Sequence, residues 1–216
     1  MAEPAERPAS PGDLSWRRRF GLDRSGPEPP QTRSGQPLRP FTLPNAVGLL
    51  RLAGIPVFLV LAFNSGDGRD LTAGLLFLAI SAGDYLDGFL ARSTGQYSRL
   101  GALMDPVVDR LNILAGAAVC WHFHLLPRWA LAILALRELV TLLLAQWGLR
   151  RGVDVSVNWA GRIAVFPVMG SIGLSLLVDT VLSEILLISG VALALFATGL
   201  YARTGIRAVR SQHSAS

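Results

Sequence analysis

Long apolar runs dominate the chain from residue 41 onward. Six runs of helical length, separated by short polar links, cover residues 45–63, 71–92, 99–122, 128–149, 159–178 and 182–203. A helix needs ~20 mostly apolar residues to cross the hydrocarbon core of a bilayer. The runs are too long for strands and lack their alternation of polar and apolar positions. The pattern therefore predicts an all-α integral membrane protein with six transmembrane helices.

Composition supports a membrane protein over a soluble one. Of the 216 residues, 51% are hydrophobic and only 16% are charged, whereas soluble domains carry roughly 25% charge. All 20 basic residues are arginine, and they interrupt apolar stretches instead of forming one polar face. We therefore expect membrane lipids, and no nucleic acid, as partners. A single cysteine, Cys120, excludes an intramolecular disulfide and a cysteine-rich metal site.

The first 40 residues differ from the rest, since they hold eight of the 13 prolines together with many serine, glycine, arginine and acidic residues. Such a segment buries too little apolar surface to offset its ordering entropy. We therefore predict a disordered Pro/Arg-rich tail over residues 1–40, a six-helix domain over 41–205 and a short basic tail over 206–216.

Arginine placement predicts the topology. With the N-terminus in the cytoplasm, the outer side receives only Arg69 and Arg128. The cytoplasmic side receives the N-terminal arginines together with Arg92, Arg99, Arg150, Arg151, Arg203, Arg207 and Arg210. Because basic residues are retained on the cytoplasmic side, we expect both termini there.

Four acidic residues flank the turn between the second and third predicted helices. Asp84 and Asp87 are three positions apart, and Asp105 and Asp109 are four apart, so each pair lies on one helix face. Charged residues inside membrane helices are functional candidates by default. Four carboxylates in a partly dry site repel one another unless a cation binds, and hard oxygen ligands favour Mg²⁺ or Mn²⁺. The alternative is a structural ion-pair network with Arg92, Arg99 and Arg110.

The residues between the acid pairs suit a phosphate-bearing nucleotide. Gly88 allows close approach to the backbone, and Arg92 offers a forked cation to phosphate. Ser98 adds a hydroxyl at the start of the third helix.

Residues 84–109 read D-Y-L-D-G-F-L-A-R-S-T-G-Q-Y-S-R-L-G-A-L-M-D-P-V-V-D. This stretch resembles the signature of the CDP-alcohol phosphatidyltransferase family, D-x2-D-G-x2-A-R-x8-G-x3-D-x3-D, at every fixed position. The opening T-L-P-N-A-V-G-L-L-R, residues 42–51, is similar to that of bacterial glycerol-type members.

The resemblance implies transfer of a phosphatidyl group from CDP-diacylglycerol to an alcohol, with release of CMP. By position, Asp84, Asp87, Asp105 and Asp109 would hold two divalent ions, and Asp109 would also be the general base. Gly88, Arg92 and Ser98 would contact the donor. It also implies a bacterial cell membrane location, and the predicted topology places the turn at residues 93–98, between the acid pairs, on the cytoplasmic side.

Three further arginines, Arg51, Arg137 and Arg162, are candidate ligands for a phosphate-bearing acceptor. Snorkelling to lipid headgroups is the alternative for Arg51 and Arg162, and an ion pair with Glu138 or another acid is the alternative for Arg137. The pattern R-E at 137–138, followed by V-S-V-N-W-A-G-R, is similar to that of phosphatidylglycerophosphate synthases, which favours glycerol-3-phosphate. It departs from them at residues 162–164, Arg-Ile-Ala, where Lys and Thr are expected.

Two other functions compete with this interpretation. Cardiolipin synthases of the same family, which use phosphatidylglycerol as acceptor, share the opening and the aspartate signature. A divalent-cation transporter is the non-enzyme alternative, but its ionisable groups should lie near the bilayer midplane. Family members are usually dimers, and the small residues of G-S-I-G at 170–173 suit a dimer face.

Overall fold

The computed structural model describes residues 42–94, 96, 98–150 and 159–213. These residues form six α-helices, and none of them lies in a strand. The helices are α1 (Leu43–Asn64), α2 (Leu71–Thr94), α3 (Arg99–His122), α4 (Arg128–Arg150), α5 (Trp159–Leu177) and α6 (Val181–His213). Five of them match their predicted bounds within two residues, and α6 continues well past its predicted end at residue 203. Residues 1–40 of the predicted tail lie outside the described residues.

Polar side chains set the start of several helices. The Asp70 carboxylate accepts a hydrogen bond of 2.7 Å from the backbone N–H of Ala73, which caps α2. Thr42 caps α1 in the same way, and Thr180 caps α6. Such caps satisfy backbone donors that have no partner inside the helix.

Three helices among the described residues are long and apolar enough to cross a membrane: Leu43–Asn64, Leu71–Thr94 and Val181–Leu200. Ile163–Leu177 in α5 is a shorter apolar helix. Helix α3 has spanning length, but Asp105, Asp109 and Arg110 lower its hydropathy. The chain is therefore an integral membrane protein, and its acidic residues account for part of the difference from the six predicted spans.

The described chain divides into two compact units, the first made of residues 42–55 and 79–111 and the second of residues 56–78 and 112–213. In the second unit, α6 packs against α5 and α4. Its core includes the fully buried Phe58 and Phe77, whose ring centroids lie 5.4 Å apart. A partly exposed ion pair of 3.0 Å joins Arg69, before α2, to Asp179, before α6.

Small residues of α5 pack inside the second unit. The hydroxyl of Ser171 donates a 2.6 Å hydrogen bond to the carbonyl of Ser183 in α6. A Cβ added at Gly173 would lie 2.4 Å from Cδ2 of Leu78. Ser171 and Gly173 of the G-S-I-G segment therefore pack within one chain, whereas the sequence suggested that a second copy covers this segment. The homodimer stays a prediction.

We expect Gly173→Ala to destabilise the protein by about 1–3 kcal/mol, because the new methyl group overlaps Leu78. Gly170→Ala is the matched control on the same helix, since its Cβ would meet only Leu186, at 4.0 Å. Thermal unfolding of the purified protein in detergent measures both variants. Equal melting temperatures for the two would contradict the close contact between Gly173 and Leu78.

Candidate active site

The four aspartates all belong to the first unit. Asp84 and Asp87 lie in the second half of α2, and Asp105 and Asp109 lie in the first half of α3. The side chain of Asp87 is buried, that of Asp84 is half exposed and that of Asp109 is one-third exposed. The site therefore combines dry and solvent-accessible carboxylates.

The guanidinium of Arg51, from α1, contacts carboxylates of both acid pairs. Its Nη1 lies 2.8 Å from Oδ2 of Asp87, and its Nη2 lies 2.5 Å from Oδ1 of Asp109. Nη1 also lies 3.7 Å from Oδ1 of Asp84. The Arg51 side chain is only 4% exposed, so it does not snorkel to headgroups. One cation thus joins α1, α2 and α3.

Two features of α2 fix the course of the Arg51 side chain. The backbone carbonyl of Ile80 accepts a 2.9 Å hydrogen bond from Nε of Arg51. Gly83 leaves the space through which the aliphatic part of Arg51 passes, because a Cβ added there would lie 2.6 Å from Cδ of Arg51. Both contacts lie within four residues of Asp84, the first aspartate.

The acidic residues fit a hard divalent cation by their chemistry, since they offer carboxylate oxygens without nitrogen or sulfur donors. Among the side chains that the structure describes, no three acidic, histidine or cysteine groups are arranged to hold one metal ion. The guanidinium of Arg51 lies between the carboxylates of Asp87 and Asp109 instead. A positive group already occupies this part of the site and compensates part of the carboxylate charge.

A cavity of about 180 Å³ lies beside these carboxylates in the first unit. It brings the predicted donor contacts together with two of the aspartates. The residues that line it are Pro44, Asn45, Asp87, Gly88, Ala91, Arg92, Gln96, Ser98, Gly101 and Asp105. A Cβ added at Gly88 would lie 3.1 Å from Nη1 of Arg92. The guanidinium of Arg92 therefore lies close over the backbone at Gly88, in the lining of the cavity.

The hydroxyl of Ser98 joins the N-terminal turns of α1 and α3. It donates a 2.6 Å hydrogen bond to Oδ1 of Asn45 and accepts one of 3.0 Å from the N–H of Gly101, which caps α3. Gly101 is needed at this point, because a Cβ would lie 2.9 Å from Oδ1 of Asn45. Both Asn45 and Ser98 are buried. These bonds fix one wall of the cavity.

The predicted acceptor residues are distributed differently. Arg51 lies in the first unit with the aspartates, whereas Arg137 lies in the second. Arg137 forms an ion pair with Glu138 and donates a 3.2 Å hydrogen bond from Nε to the hydroxyl of Thr198. Arg162 lies in the first turn of α5, and its side chain is outside the described part of the chain.

Sequence reasoning missed Asn45, Gln96 and Gly83 as parts of this site. Asn45 belongs to the opening segment T-L-P-N, whose sequence indicates similarity to glycerol-type members but no contact with the site. Its buried position and its bond to Ser98 depend on a contact across 53 residues. Gly83 precedes Asp84 directly, but only the path of Arg51 gives it a role.

A family model for CDP-alcohol phosphatidyltransferases matches residues 41–196, which include the cavity, the aspartates and most of both units. The chain belongs to the CDP-alcohol phosphatidyltransferase family. The resemblance drawn from the 26-residue signature is thereby confirmed over most of the chain. As a member of this family, the chain is an enzyme of phospholipid synthesis.

Bacterial relatives carry two kinds of name. The CMP-forming cardiolipin synthase of Streptomyces coelicolor is 37% identical over 174 residues, covering 78% of this chain and 81% of the relative. A probable phosphatidylglycerophosphate synthase of Mycobacterium tuberculosis is 34% identical over 140 residues, covering 62% and 66%. The CDP-diacylglycerol–glycerol-3-phosphate 3-phosphatidyltransferase of Escherichia coli is 32% identical over 130 residues, covering 57% and 70%.

We expect Ser98→Ala to lower the free energy of unfolding by about 1 kcal/mol, because the cap of α3 is lost. We also expect it to weaken the binding of CDP, because Asn45 loses a hydrogen-bond partner beside the cavity. Thr180→Ala removes a cap of α6 in the second unit and serves as the control, with a similar stability loss and unchanged CDP affinity. Thermal unfolding and calorimetric titration with CDP measure the two effects. Unchanged CDP affinity of Ser98→Ala would show that Ser98 does not contribute to nucleotide binding.

Proposed function

We propose that the chain transfers a phosphatidyl group from CDP-diacylglycerol to the hydroxyl of a glycerol-type alcohol and releases CMP. The observation that carries this proposal is the cavity in which Asp87, Asp105, Gly88 and Arg92 of the family signature meet, together with Ser98. A nucleotide diphosphate needs such a combination of a forked cation, close backbone and nearby carboxylates.

In this reaction the acceptor oxygen forms a new bond to the phosphorus of the phosphatidyl group, and the bond from that phosphorus to the oxygen of CMP breaks. Asp109 takes the proton of the acceptor hydroxyl as general base. The one-third exposure of its side chain supports this role, because the carboxylate is accessible to a second substrate. Arg92 and the backbone at Gly88 hold the diphosphate of the donor.

We propose that Asp84, Asp87, Asp105 and Asp109 hold Mg²⁺ or Mn²⁺, with two ions in the complete site. When bound, the metal ions neutralise the donor's diphosphate and stabilise the charge that develops on the departing CMP. The oxygen-only character of these residues supports these metals over Zn²⁺.

The topology proposed with this function has six membrane spans, both termini in the cytoplasm and the active site at the cytoplasmic interface. The asymmetric arginine distribution supports it. At that interface the acyl chains of the donor stay in the bilayer while its nucleotide reaches water. A transporter would instead require ionisable groups near the midplane.

Glycerol-3-phosphate is the first candidate acceptor. The relatives named for phosphatidylglycerophosphate synthesis support it. Phosphatidylglycerol is the second candidate and would make the chain a cardiolipin synthase. Two observations favour phosphatidylglycerol. The match to the Streptomyces coelicolor relative covers more of both chains than the other two matches do. In addition, Arg-Ile-Ala at residues 162–164 departs from the pattern of phosphatidylglycerophosphate synthases.

An acceptor panel tests the proposal and separates the two candidates. Purified protein is supplied with CDP-diacylglycerol, Mg²⁺ or Mn²⁺, and one alcohol at a time, with CMP release and lipid products followed by mass spectrometry. We expect CMP release with a glycerol-type acceptor, giving phosphatidylglycerophosphate in the first case and cardiolipin in the second. If neither glycerol-3-phosphate nor phosphatidylglycerol supports CMP release, the proposed acceptor class is refuted. If none of the alcohols tested supports CMP release, the proposed activity is refuted.

Asp109→Asn should lower kcat by about 10²–10⁴-fold, the range that a general base contributes, while donor binding stays near that of the wild type. Steady-state CMP release and calorimetry with CDP measure the two properties. The control is Asp179→Asn, which removes a carboxylate outside the first unit and should leave kcat unchanged. Wild-type turnover by Asp109→Asn would rule out its role as base.

A further inference from the structure

The four aspartates and Arg51 form a group in which negative charges outnumber positive ones. Four carboxylates and one guanidinium carry a formal charge of −3 when all are ionised. Arg51 pairs most closely with Asp87 and Asp109, at 2.8 Å and 2.5 Å, and less closely with Asp84, at 3.7 Å. Its charge is therefore concentrated on one carboxylate from α2 and one from α3.

Arg51 is held in this position by contacts that involve no carboxylate. Its Nε donates to the carbonyl of Ile80 at 2.9 Å, and its aliphatic stem fills the space that Gly83 leaves open. The side chain is almost fully buried. Arginine side chains lose considerable rotamer freedom when they are fixed, so these contacts indicate a guanidinium that is pre-organised toward Asp87 and Asp109.

We propose that Arg51 is an internal counter-ion, which holds Asp87 and Asp109 in the metal-free enzyme and competes with the divalent cation for their oxygens. The inference rests on the proposed function, because it takes these two aspartates as metal ligands. A carboxylate oxygen that accepts a hydrogen bond from guanidinium must weaken that bond to coordinate a metal. Arg51 therefore lowers the affinity for the metal and stabilises the protein when no metal is bound.

A purely structural role for Arg51 makes a different prediction. If the guanidinium only joins three helices, its removal destabilises the protein equally with and without a divalent cation. If it competes with the cation, its removal destabilises chiefly the metal-free protein, in which buried carboxylates repel one another. The difference between the two conditions separates the roles.

The experiment titrates full-length Arg51→Gln and wild-type protein in detergent with Mg²⁺ alone. For Arg51→Gln we expect a lower melting temperature in EDTA and a larger rise on addition of Mg²⁺. Calorimetry should give a dissociation constant for Mg²⁺ about tenfold lower than in the wild type, equivalent to about 1.4 kcal/mol. An unchanged or higher dissociation constant would overturn the proposal.

Two further variants keep the test valid if Arg51→Gln does not fold. Gly83→Ala keeps every charge but pushes the Arg51 stem from its path, so Mg²⁺ should bind more tightly, with a smaller change than in Arg51→Gln. Arg51→Lys keeps the positive charge without the fork, and its Mg²⁺ affinity should lie between those of Arg51→Gln and the wild type. Weaker Mg²⁺ binding by Gly83→Ala would contradict the proposal.

Arg137→Gln is the matched control, because Arg137 is another poorly exposed arginine whose ion-pair partner is Glu138. It should lose the same stability in EDTA and in Mg²⁺, with an unchanged Mg²⁺ dissociation constant. Wild-type protein that binds no Mg²⁺ would refute the metal site of the proposed function itself. If the wild-type protein and Arg51→Gln bind Mg²⁺ with the same affinity, only the counter-ion role of Arg51 is refuted.

Discussion

The site depends on the compensation of carboxylate charge in a poorly hydrated place. Taking an ionised carboxylate out of water costs several kcal/mol, and removing one partner of a buried ion pair is destabilising by about 3–5 kcal/mol. Asp87 is buried, and its bond to Arg51 supplies the nearest opposite charge that the described residues offer it. The same guanidinium reaches Asp109, so α1, α2 and α3 meet around one cation. Helices α2 and α3 supply the acids of the family signature, and α1 supplies the counter-charge.

The helices could be predicted from the sequence because each apolar run is as long as its helix. Helix α6 was the exception: its backbone remains helical to His213, beyond the end of the apolar run. Hydropathy detects the part of a helix that lipid or protein covers, and it carries no signal for a polar continuation. The hydropathy of α3 also shows the limit of this signal, since the acids that mark the site reduce the apolar character of the helix that carries them.

The candidate site was predictable where its residues are close in sequence and obscure where they are not. Spacing within the signature placed four aspartates, Gly88 and Arg92 on adjacent turns. The bond between Ser98 and Asn45 and the pairing of Arg51 with Asp109 join positions 53 and 58 residues apart. No local pattern encodes such contacts. The opening segment, residues 42–51, therefore has a structural meaning that emerges only in the fold: it supplies a wall of the cavity and a cation.

The partly exposed ion pair between Arg69 and Asp179 differs from the buried Arg51 pairs in its response to dissolved salt. At ionic strengths near 0.15 M, charges in water are screened over about 8 Å, whereas buried pairs are screened much less. Raising the salt concentration should thus loosen the connection between the loop before α2 and the loop before α6 while the aspartate cluster keeps its attraction for Arg51. Buffer choice consequently becomes a way to soften one part of the molecule selectively.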